Sequence, residues 1–233
     1  MNWGSPILSG LGKIIMGHKV HPKGFRLGPL YTWDSRWFAG SQDYRNFVLE
    51  DAKIRKLLLG KLQVAGIIKV EIERSINKIN IILHVVRPGM VIGRGGHGLE
   101  DLKKFIEKII FENRKKTGKI NNKSTLKLDL RVEPVKNPYL AAYFVASQVV
   151  DQLVKRIPHK RVVNFAIDKV MSAGAKGVKI ILAGRIGGAE ISRRETYKIG
   201  TIPLSTIRED VDFASLPALT KSGYVGVKVW ICK

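Results

Sequence analysis

The sequence is poor in cysteine and lacks long hydrophobic runs. Its 233 residues include a single cysteine, Cys232, so an intramolecular disulfide is excluded. Of the five histidines, His18 and His21 lie close together but have no further soft ligands at zinc-binding spacing. No apolar run is long enough to span a membrane. We therefore expect a protein of a reducing compartment, with no metal, no cofactor and no membrane partner.

Acidic residues are also few. Lys and Arg total 41 whereas Asp and Glu total 19, which gives a formal net charge of +22 at pH 7. A body this basic repels itself, and binding a polyanion relieves the repulsion. Nucleic acid is the favoured polyanion, because the release of its condensed counterions drives binding. Hydrophobic residues make up 45% of the chain, so the basic surface belongs to a protein that can build real cores.

The scarce acids weaken any enzymatic interpretation. Their one tight group is Glu209, Asp210 and Asp212, and a nuclease would need such carboxylates to hold metal ions. The pattern around them predicts a helix-to-loop segment, in which acids usually form a solvated face. The serines and histidines form no visible catalytic triad. We expect no catalytic residues.

Glycine is abundant in one place, the stretch VIGRGGHG at residues 91–98. Residues 93–98 match the dinucleotide fingerprint GxGxxG, whereas residues 93–96 match GxxG, the backbone clamp of RNA-binding KH domains. The first motif predicts an enzyme and the second a nucleic-acid binder. Each motif alone is weak, so the surrounding elements have to decide.

Hydrophobic periodicity favours the clamp. A helical pattern over 41–65 precedes two alternating strands, 68–72 and 79–85, and a helical stripe and a third strand at 126–132 follow the loop. A dinucleotide fingerprint belongs directly after a strand and inside a βαβ unit, and the pattern predicts neither. A loop at a helix start offers free N–H groups, and glycines let a sugar-phosphate backbone approach.

The rest of the chain predicts a second folded unit. Two helical patterns, 140–156 and 160–173, precede apolar alternation that begins at Val178, and further strands are predicted at 197–204 and 225–231. This order predicts an α+β domain of two helices on a mainly antiparallel sheet. Upstream of the first helix, the aromatic residues Trp33, Trp37 and Phe38 are expected to plug a small core.

Several long motifs resemble one known family. MGHKVHPKGFRLG at 16–28, RPGMVIGRGG at 87–96 and GAKGVKIILAGRIGGAEISRRE at 174–195 are similar to the bacterial type of small-subunit ribosomal protein S-three, as are GTIPLSTIREDVDFA at 200–214 and YVGVKVWIC at 224–232. The resemblance implies an α+β fold with a type II KH domain. We accordingly divide the chain into an extension (1–15), a basic N-terminal arm with the first helix (16–50), the KH domain (51–133) and a C-terminal α+β domain (134–233).

The resemblance also implies a function. A protein of this family is a structural, cytoplasmic constituent of the small-subunit head, binds rRNA and neighbours the proteins S-ten, S-fourteen and S-two. With S-four and S-five it lines the tunnel through which mRNA enters, and it helps to unwind mRNA there. The alternative is a free-standing KH-type RNA-binding regulator or chaperone. A host of bacterial or organellar type is left open.

These arguments together predict a set of RNA contacts. The glycine clamp and the arginines of the GRIGGAEISRRE stretch are predicted to contact RNA from their residue types, since arginine offers a planar fork to phosphate. The arm is predicted to contact RNA because it is basic. The resemblance adds Lys160 and Arg161, at the family's unwinding patch, although Asn164 and Phe165 stand where further basic side chains are expected. The predicted RNA-binding residues are Gly93, Arg94, Gly95, Gly96, Lys19, Lys23, Arg26, Lys160, Arg161, Arg185, Arg193 and Arg194.

Overall fold

A computed structural model describes residues 19–75, 78–116 and 127–233. These residues form two α+β domains, each with its own four-stranded sheet and hydrophobic core. The predicted extension 1–15, the start of the arm at 16–18 and residue 126, predicted to begin the third strand, lie outside the described residues. Within the described part of the chain, no helix is both long enough and apolar enough to cross a membrane.

The first domain and the arm before it contain three strands that follow the predicted pattern and one short added strand. Their elements are α1 (Pro22–Phe25), β1 (Ser35–Arg36), α2 (Ser41–Lys61), β2 (Ile67–Arg74), β3 (Lys78–Val85), α3 (Pro88–Ile92), α4 (His97–Lys116) and β4 (Lys127–Pro134). The sheet order is β1-β2-β3-β4, with β2 and β3 antiparallel and both β1–β2 and β3–β4 parallel. The α+β fold of a KH domain is confirmed.

Apolar side chains at helical spacing explain how α2 and α4 cover this sheet. Ile54 and Leu58 of α2 and Leu102 and Ile106 of α4 are buried against the alternating side chains of β2 and β3. A short 3-10 turn after α2 ends at Gly66, whose φ of 69° lies in the left-handed region that glycine favours. The left-handed glycine that ends this segment thus lies one short turn beyond α2.

The parallel pairing of β3 and β4 corrects one expectation. The segment between them, α3, the glycine loop and α4, makes a βαβ crossover, so the prediction that no such unit occurs is wrong. Strand direction depends on pairing between distant segments, which local periodicity does not report. The glycine loop nevertheless follows helix α3 and not a strand, so it lacks the position that a dinucleotide fingerprint requires.

The C-terminal domain places two helices on one face of an antiparallel sheet, as predicted. Its elements are α5 (Ala142–Val154), α6 (His159–Ser172), β5 (Gly177–Gly184), β6 (Arg193–Gly200), β7 (Val211–Thr220) and β8 (Gly223–Cys232). The sheet order is β6-β5-β8-β7, and all three pairings are antiparallel. Valine and isoleucine side chains of β5 and β8 form the core with the buried faces of α5 and α6.

Two strand predictions in this domain were wrong. The strand predicted at 197–204 runs from Arg193 to Gly200. Two of the predicted RNA contacts, Arg193 and Arg194, therefore lie within this strand. The strand β7 was not predicted, and Asp212, assigned to a helix-to-loop segment, lies within it. Asp212 and Pro217 interrupt the apolar alternation of β7. The strand is recognisable only from its pairing along the whole of β8.

The aromatic residues of the arm do not form the expected small core. Trp33 is 67% exposed and Phe38 is 96% exposed, so the core prediction is wrong for both. Trp37 is half-buried, and its indole N–H donates to a carboxylate oxygen of Asp51 at 2.8 Å. The rings of Tyr44 and Phe47 of α2 also pack against Trp37, at 5.4 Å and 5.5 Å between ring centres, so a buried carboxylate and aromatic neighbours together hold this ring in place.

Candidate nucleic-acid interface

The glycine loop joins α3 to α4 in a conformation that requires glycine. Gly93, Gly95 and Gly96 have φ values of 70°, 63° and 83°, all in the left-handed region. A Cβ added at Gly96 would meet no atom within 4 Å, so this part of the loop backbone faces open space. An extended sugar-phosphate chain can therefore reach the backbone N–H groups without a side chain in the way.

Close packing between α3 and α4 fixes the two ends of the loop. A Cβ at Gly98 would lie 2.7 Å from the carbonyl oxygen of Val91 and 2.9 Å from that of Ile92, so the start of α4 packs directly on the backbone of α3. Val91 is buried in the core, and Leu102 and Ile106 anchor α4 one and two turns on. The clamp is thus a rigid turn on a scaffold, which lowers the entropy lost when a ligand binds.

Positive charge and exposed apolar surface surround the loop. Arg94 lies in the loop and is exposed, and the free N–H groups at the start of the 20-residue helix α4 add partial positive charge. Met90 and Ile92, 54% and 38% exposed, flank the loop on α3. These two apolar side chains can contact base faces while the loop holds phosphate. Sequence reasoning missed them, because an apolar turn before a loop is usually part of the core.

A second group of predicted residues lies at the start of α6. Lys160 and Arg161 are exposed in its first turn, which contains no acidic residue. Lys155 and Arg156 precede them in the connection from α5, and both are exposed. Cations at a helix N-terminus oppose the helix dipole, so this placement costs stability and favours an anionic ligand.

The side chains that replace the expected basic residues of α6 are also exposed. Asn164 and Phe165 lie on the outer face of the helix with Lys160 and Arg161. The ammonium of Lys169 lies 5.5 Å from the centre of the Phe165 ring, within cation–π range. The outer face of α6 therefore combines positive charge with an aromatic surface.

The three remaining arginines differ in how free they are. Arg185 is exposed but donates to the carbonyl oxygens of Ala189 at 2.9 Å and Ser222 at 3.3 Å, which braces the turn after β5. Arg193 pairs with Glu195 at 2.6 Å. Arg194 is exposed on the opposite face of β6 from Arg193. Of the three, Arg194 is best placed to meet phosphate.

Glu195 receives more than the charge of Arg193. A hydrogen bond from the hydroxyl of Tyr197 and the charges of Arg193 and His159 hold the pKa of this carboxyl below its usual range. The Nε2 atom of His159 lies 3.1 Å from the carboxylate. Glu195 stays ionised at neutral pH, so Arg193 is neutralised within the fold.

Arg26 requires a correction. Its side chain is completely buried, and the guanidinium donates to backbone carbonyl oxygens and not to a phosphate site. The acceptors are Pro22 at 3.1 Å, Pro203 at 3.1 Å, Leu204 at 3.2 Å, Thr206 at 2.8 Å and Glu209 at 2.7 Å. The predicted RNA contact at Arg26 is therefore wrong, because the buried guanidinium donates from all three of its nitrogen atoms to carbonyl oxygens of the arm and of the C-terminal domain.

Other arm residues make the same attachment. Lys23 forms an ion pair with Asp212 at 2.8 Å, and the ring of His21 packs edge-on against Phe213 at 4.9 Å. The hydroxyl of Tyr31 donates to Asp210, and burial together with this carboxylate holds the pKa of Tyr31 above its usual range. Lys19 is exposed and remains available to a ligand.

The acidic group considered for a nuclease serves the same purpose. Asp212 is buried, and one of its oxygens accepts from the backbone N–H of Ala142 at the start of α5, at 2.8 Å. Glu209 pairs with Lys176 at 2.9 Å. No group of three or more His, Cys, Asp or Glu side chains among the described residues is arranged to hold a metal ion. These acids are structural partners of the arm and of α5.

Comparison with known proteins agrees with the two-domain architecture. The family model of the KH domain matches residues 53–140, and that of the ribosomal protein S3 C-terminal domain matches residues 149–231. The small ribosomal subunit protein uS3 of Caldicellulosiruptor saccharolyticus is 46% identical over 218 residues, which cover 94% of this chain and 92% of the relative. The chain belongs to the uS3 family.

Further uS3 proteins show the same extent of similarity. That of Clostridium novyi is 43% identical, with 94% of this chain and 93% of the relative covered. That of Spiroplasma citri is 43% identical, with coverage of 94% and 82%. The uS3 family consists of ribosomal proteins and not of enzymes, so the dinucleotide and nuclease interpretations are wrong. The resemblance inferred from the motifs is confirmed.

Proposed function

We propose that this chain is a structural constituent of the small-subunit head, in which the KH domain binds a single-stranded segment of rRNA. One observation carries the proposal: three loop glycines in left-handed conformation expose their backbone at the start of α4. Arg94 supplies the charge beside them. A clamp of this kind grips a phosphate backbone through N–H groups, and it leaves the bases to the flanking apolar side chains.

The C-terminal domain extends this function towards mRNA. Lys160 and Arg161, with Lys155 and Arg156 beside them in the chain, form the exposed basic group that we assign to the tunnel through which mRNA enters, together with S-four and S-five. There they help to separate paired mRNA. The neighbours in the head are S-ten, S-fourteen and S-two, and the protein is bound to the ribosome in the cytoplasm. Similarity along both domains supports this assignment over a free-standing KH regulator or chaperone.

The clamp is tested by the double variant Arg94→Asp/Gly95→Asp. We expect its affinity for a labelled single-stranded RNA of about eight nucleotides to fall at least about tenfold. The two added carboxylates repel the phosphate, and the new side chain at residue 95 blocks access to the loop backbone. Fluorescence anisotropy measures the affinity, and circular dichroism checks that the fold is retained.

A matched control removes the same charge elsewhere. Lys104→Asp/Lys108→Gln changes two exposed side chains of α4, beyond the loop, and shifts the net charge by the same three units. It should bind the short RNA nearly as well as the wild type does. Equal losses in both double variants would show that only net charge matters, and the clamp would be rejected.

A further inference from the structure

The C-terminal sheet has one face that α5 and α6 leave uncovered, and the arm packs against it at β7, where His21 contacts Phe213. Helices α5 and α6 pack on the face formed by Val178, Ile180 and Leu182 of β5 and by their neighbours. Side chains alternate across a strand, so the other face carries Lys179 of β5, together with Lys198 of β6 and Lys228 of β8. This surface is called the open face below.

Strand register brings the basic side chains of the open face together. Lys198 lies opposite Lys179, which lies opposite Trp230 of β8, so all three share one row across the sheet. Lys228 lies opposite Ile181, in the next row on this face, and Arg194 lies opposite Ala183, one row further along. Arg194, Lys198 and Lys228 are exposed, and Lys179 is half-buried.

Nothing negative balances these charges within the sheet. The four strands are described throughout, and none of their residues on the open face is an aspartate or a glutamate, since Glu195 and Asp212 point to the helix side. Burial, followed by the positive charges of Lys19, Arg194 and Lys198, holds the pKa of Lys179 below its usual range. The cluster repels itself, and a polyanion laid on the sheet would relieve the repulsion.

The sheet of the KH domain provides an internal contrast. Its uncovered face carries Glu71, Glu73, Asp129 and Glu133 among its basic residues. Glu71 pairs with Lys69 at 2.7 Å and with Arg36, and Asp129 pairs with Lys78 at 3.5 Å. An uncovered sheet in this protein can therefore be electrically balanced, so the unbalanced open face is a specific feature of the C-terminal domain.

The two aromatic rings beside the lysines of the open face, Trp230 and Phe213, are already covered, whereas Tyr224, 69% exposed, lies at the far end of β8. The ammonium of Lys179 lies 5.4 Å from the centre of the Trp230 ring, and Phe213 packs against Trp230 at 4.9 Å and against His21 of the arm. Bases therefore have no free ring of this row to stack on. The ligand chemistry that remains is the phosphate backbone, met by a flat array of cations.

We propose that the open face of the C-terminal sheet is a second RNA-binding surface, on which Lys179, Arg194, Lys198 and Lys228, with Lys19 of the arm, hold the phosphate backbone of rRNA. The surface acts independently of base sequence and of the glycine clamp. The proposal rests on the proposed function, since it takes RNA to be the partner.

The test compares two triple variants of the full chain. Lys179→Gln/Lys198→Gln/Lys228→Gln removes three charges from the open face, and Lys56→Gln/Lys104→Gln/Lys108→Gln removes three exposed charges from α2 and α4. Filter binding to a transcript of the small-subunit rRNA is measured over a range of salt. For the open-face variant we expect a salt slope smaller by about 2 to 3, with unchanged binding of the short single-stranded RNA. The control should keep the wild-type slope.

A second measurement needs no variant and so does not depend on folding. Lysines of the wild-type protein are acetylated with and without the transcript and identified by mass spectrometry. We expect the RNA to protect Lys179, Lys198 and Lys228, while Lys104 and Lys108 stay reactive. Equal acetylation of the open-face lysines with and without RNA, or equal salt slopes in the two triple variants, would overturn the open-face proposal alone. Absence of binding by the wild type to either RNA would overturn the proposed function as well.

Discussion

At the scale of single residues, Arg26 shows what a buried cation does when no anion is present. Its planar guanidinium carries five N–H donors, and carbonyl oxygens of Pro22 and of residues 203–209 accept from it. Those carbonyls belong to the arm and to the 203–209 segment, which are far apart in the chain, so one side chain joins the two. Arg26 therefore shapes the arm and the 203–209 segment together.

We predict that Arg26→Ala lowers the free energy of unfolding by about 3 kcal/mol, because it removes a completely buried side chain and leaves one buried and several part-buried carbonyl oxygens without their donor. Chemical denaturation measures the loss, and limited proteolysis should show faster cleavage of the arm. Arg208→Ala serves as the control, since Arg208 has the same charge, lies within the 203–209 segment and is exposed. A similar small loss in both variants would contradict the structural role of Arg26.

At the scale of elements, α6 combines a well-formed helix with an unfavourable start. Its buried face, formed by Val162, Val163, Ala166, Ile167 and Val170, stabilises the helix by packing. Its first turn carries basic side chains where acids would suit the dipole, and its last turn carries Lys169, which suits it. Because packing stabilises the helix, its first turn can carry basic side chains that bind an anionic ligand.

We predict effects of opposite sign for Lys160→Glu/Arg161→Glu. The double variant should gain roughly 1 kcal/mol of stability from the helix dipole, yet ribosomes that carry it should pass a stable mRNA hairpin more slowly. Thermal unfolding and timed translation measure the two effects. Lys169→Glu, at the other end of the helix, should lose stability and leave hairpin passage unchanged. Unaltered hairpin passage in the double variant would remove α6 from mRNA unwinding.

At the scale of the whole molecule, the arm connects the two domains. Residues 21–31 pack against the C-terminal domain through His21, Lys23, Arg26 and Tyr31, and the next residues reach the KH sheet as β1. The glycine clamp and the basic surfaces of the C-terminal domain thus belong to one connected body. A net charge of +22 spread over that body suits extensive contact with RNA.

We predict that the protein sediments with the small ribosomal subunit in a sucrose gradient of cell lysate and stays there through a moderate salt wash. Several separate RNA contacts explain the resistance, because losing one leaves the others in place. Probing each fraction for the protein gives the answer. Recovery only at the top of the gradient would favour the free-standing RNA-binding regulator.

Much of the architecture could be predicted because it follows from neighbours in the chain. Alternation at Ile79, Ile81 and Leu83 and the helical spacing from Leu102 to Ile106 predict their elements, since a side chain's face depends only on its position in the repeat. The glycine loop could be recognised for the same reason, because its left-handed φ values restrict the residue type at each position.

Tertiary structure alone decided what each charged or aromatic side chain does. Arg26 and Arg94 are both arginines beside glycines, yet one is buried among carbonyls and the other is exposed. Trp33 and Phe38 proved exposed, and Lys179, Lys198 and Lys228 form one surface only because three strands pair in register. The sequence by itself determined most of the helices and strands, the glycine loop and the excess of positive charge. The fold decided which charges are neutralised and which are free, because burial and pairing depend on residues far apart in the chain.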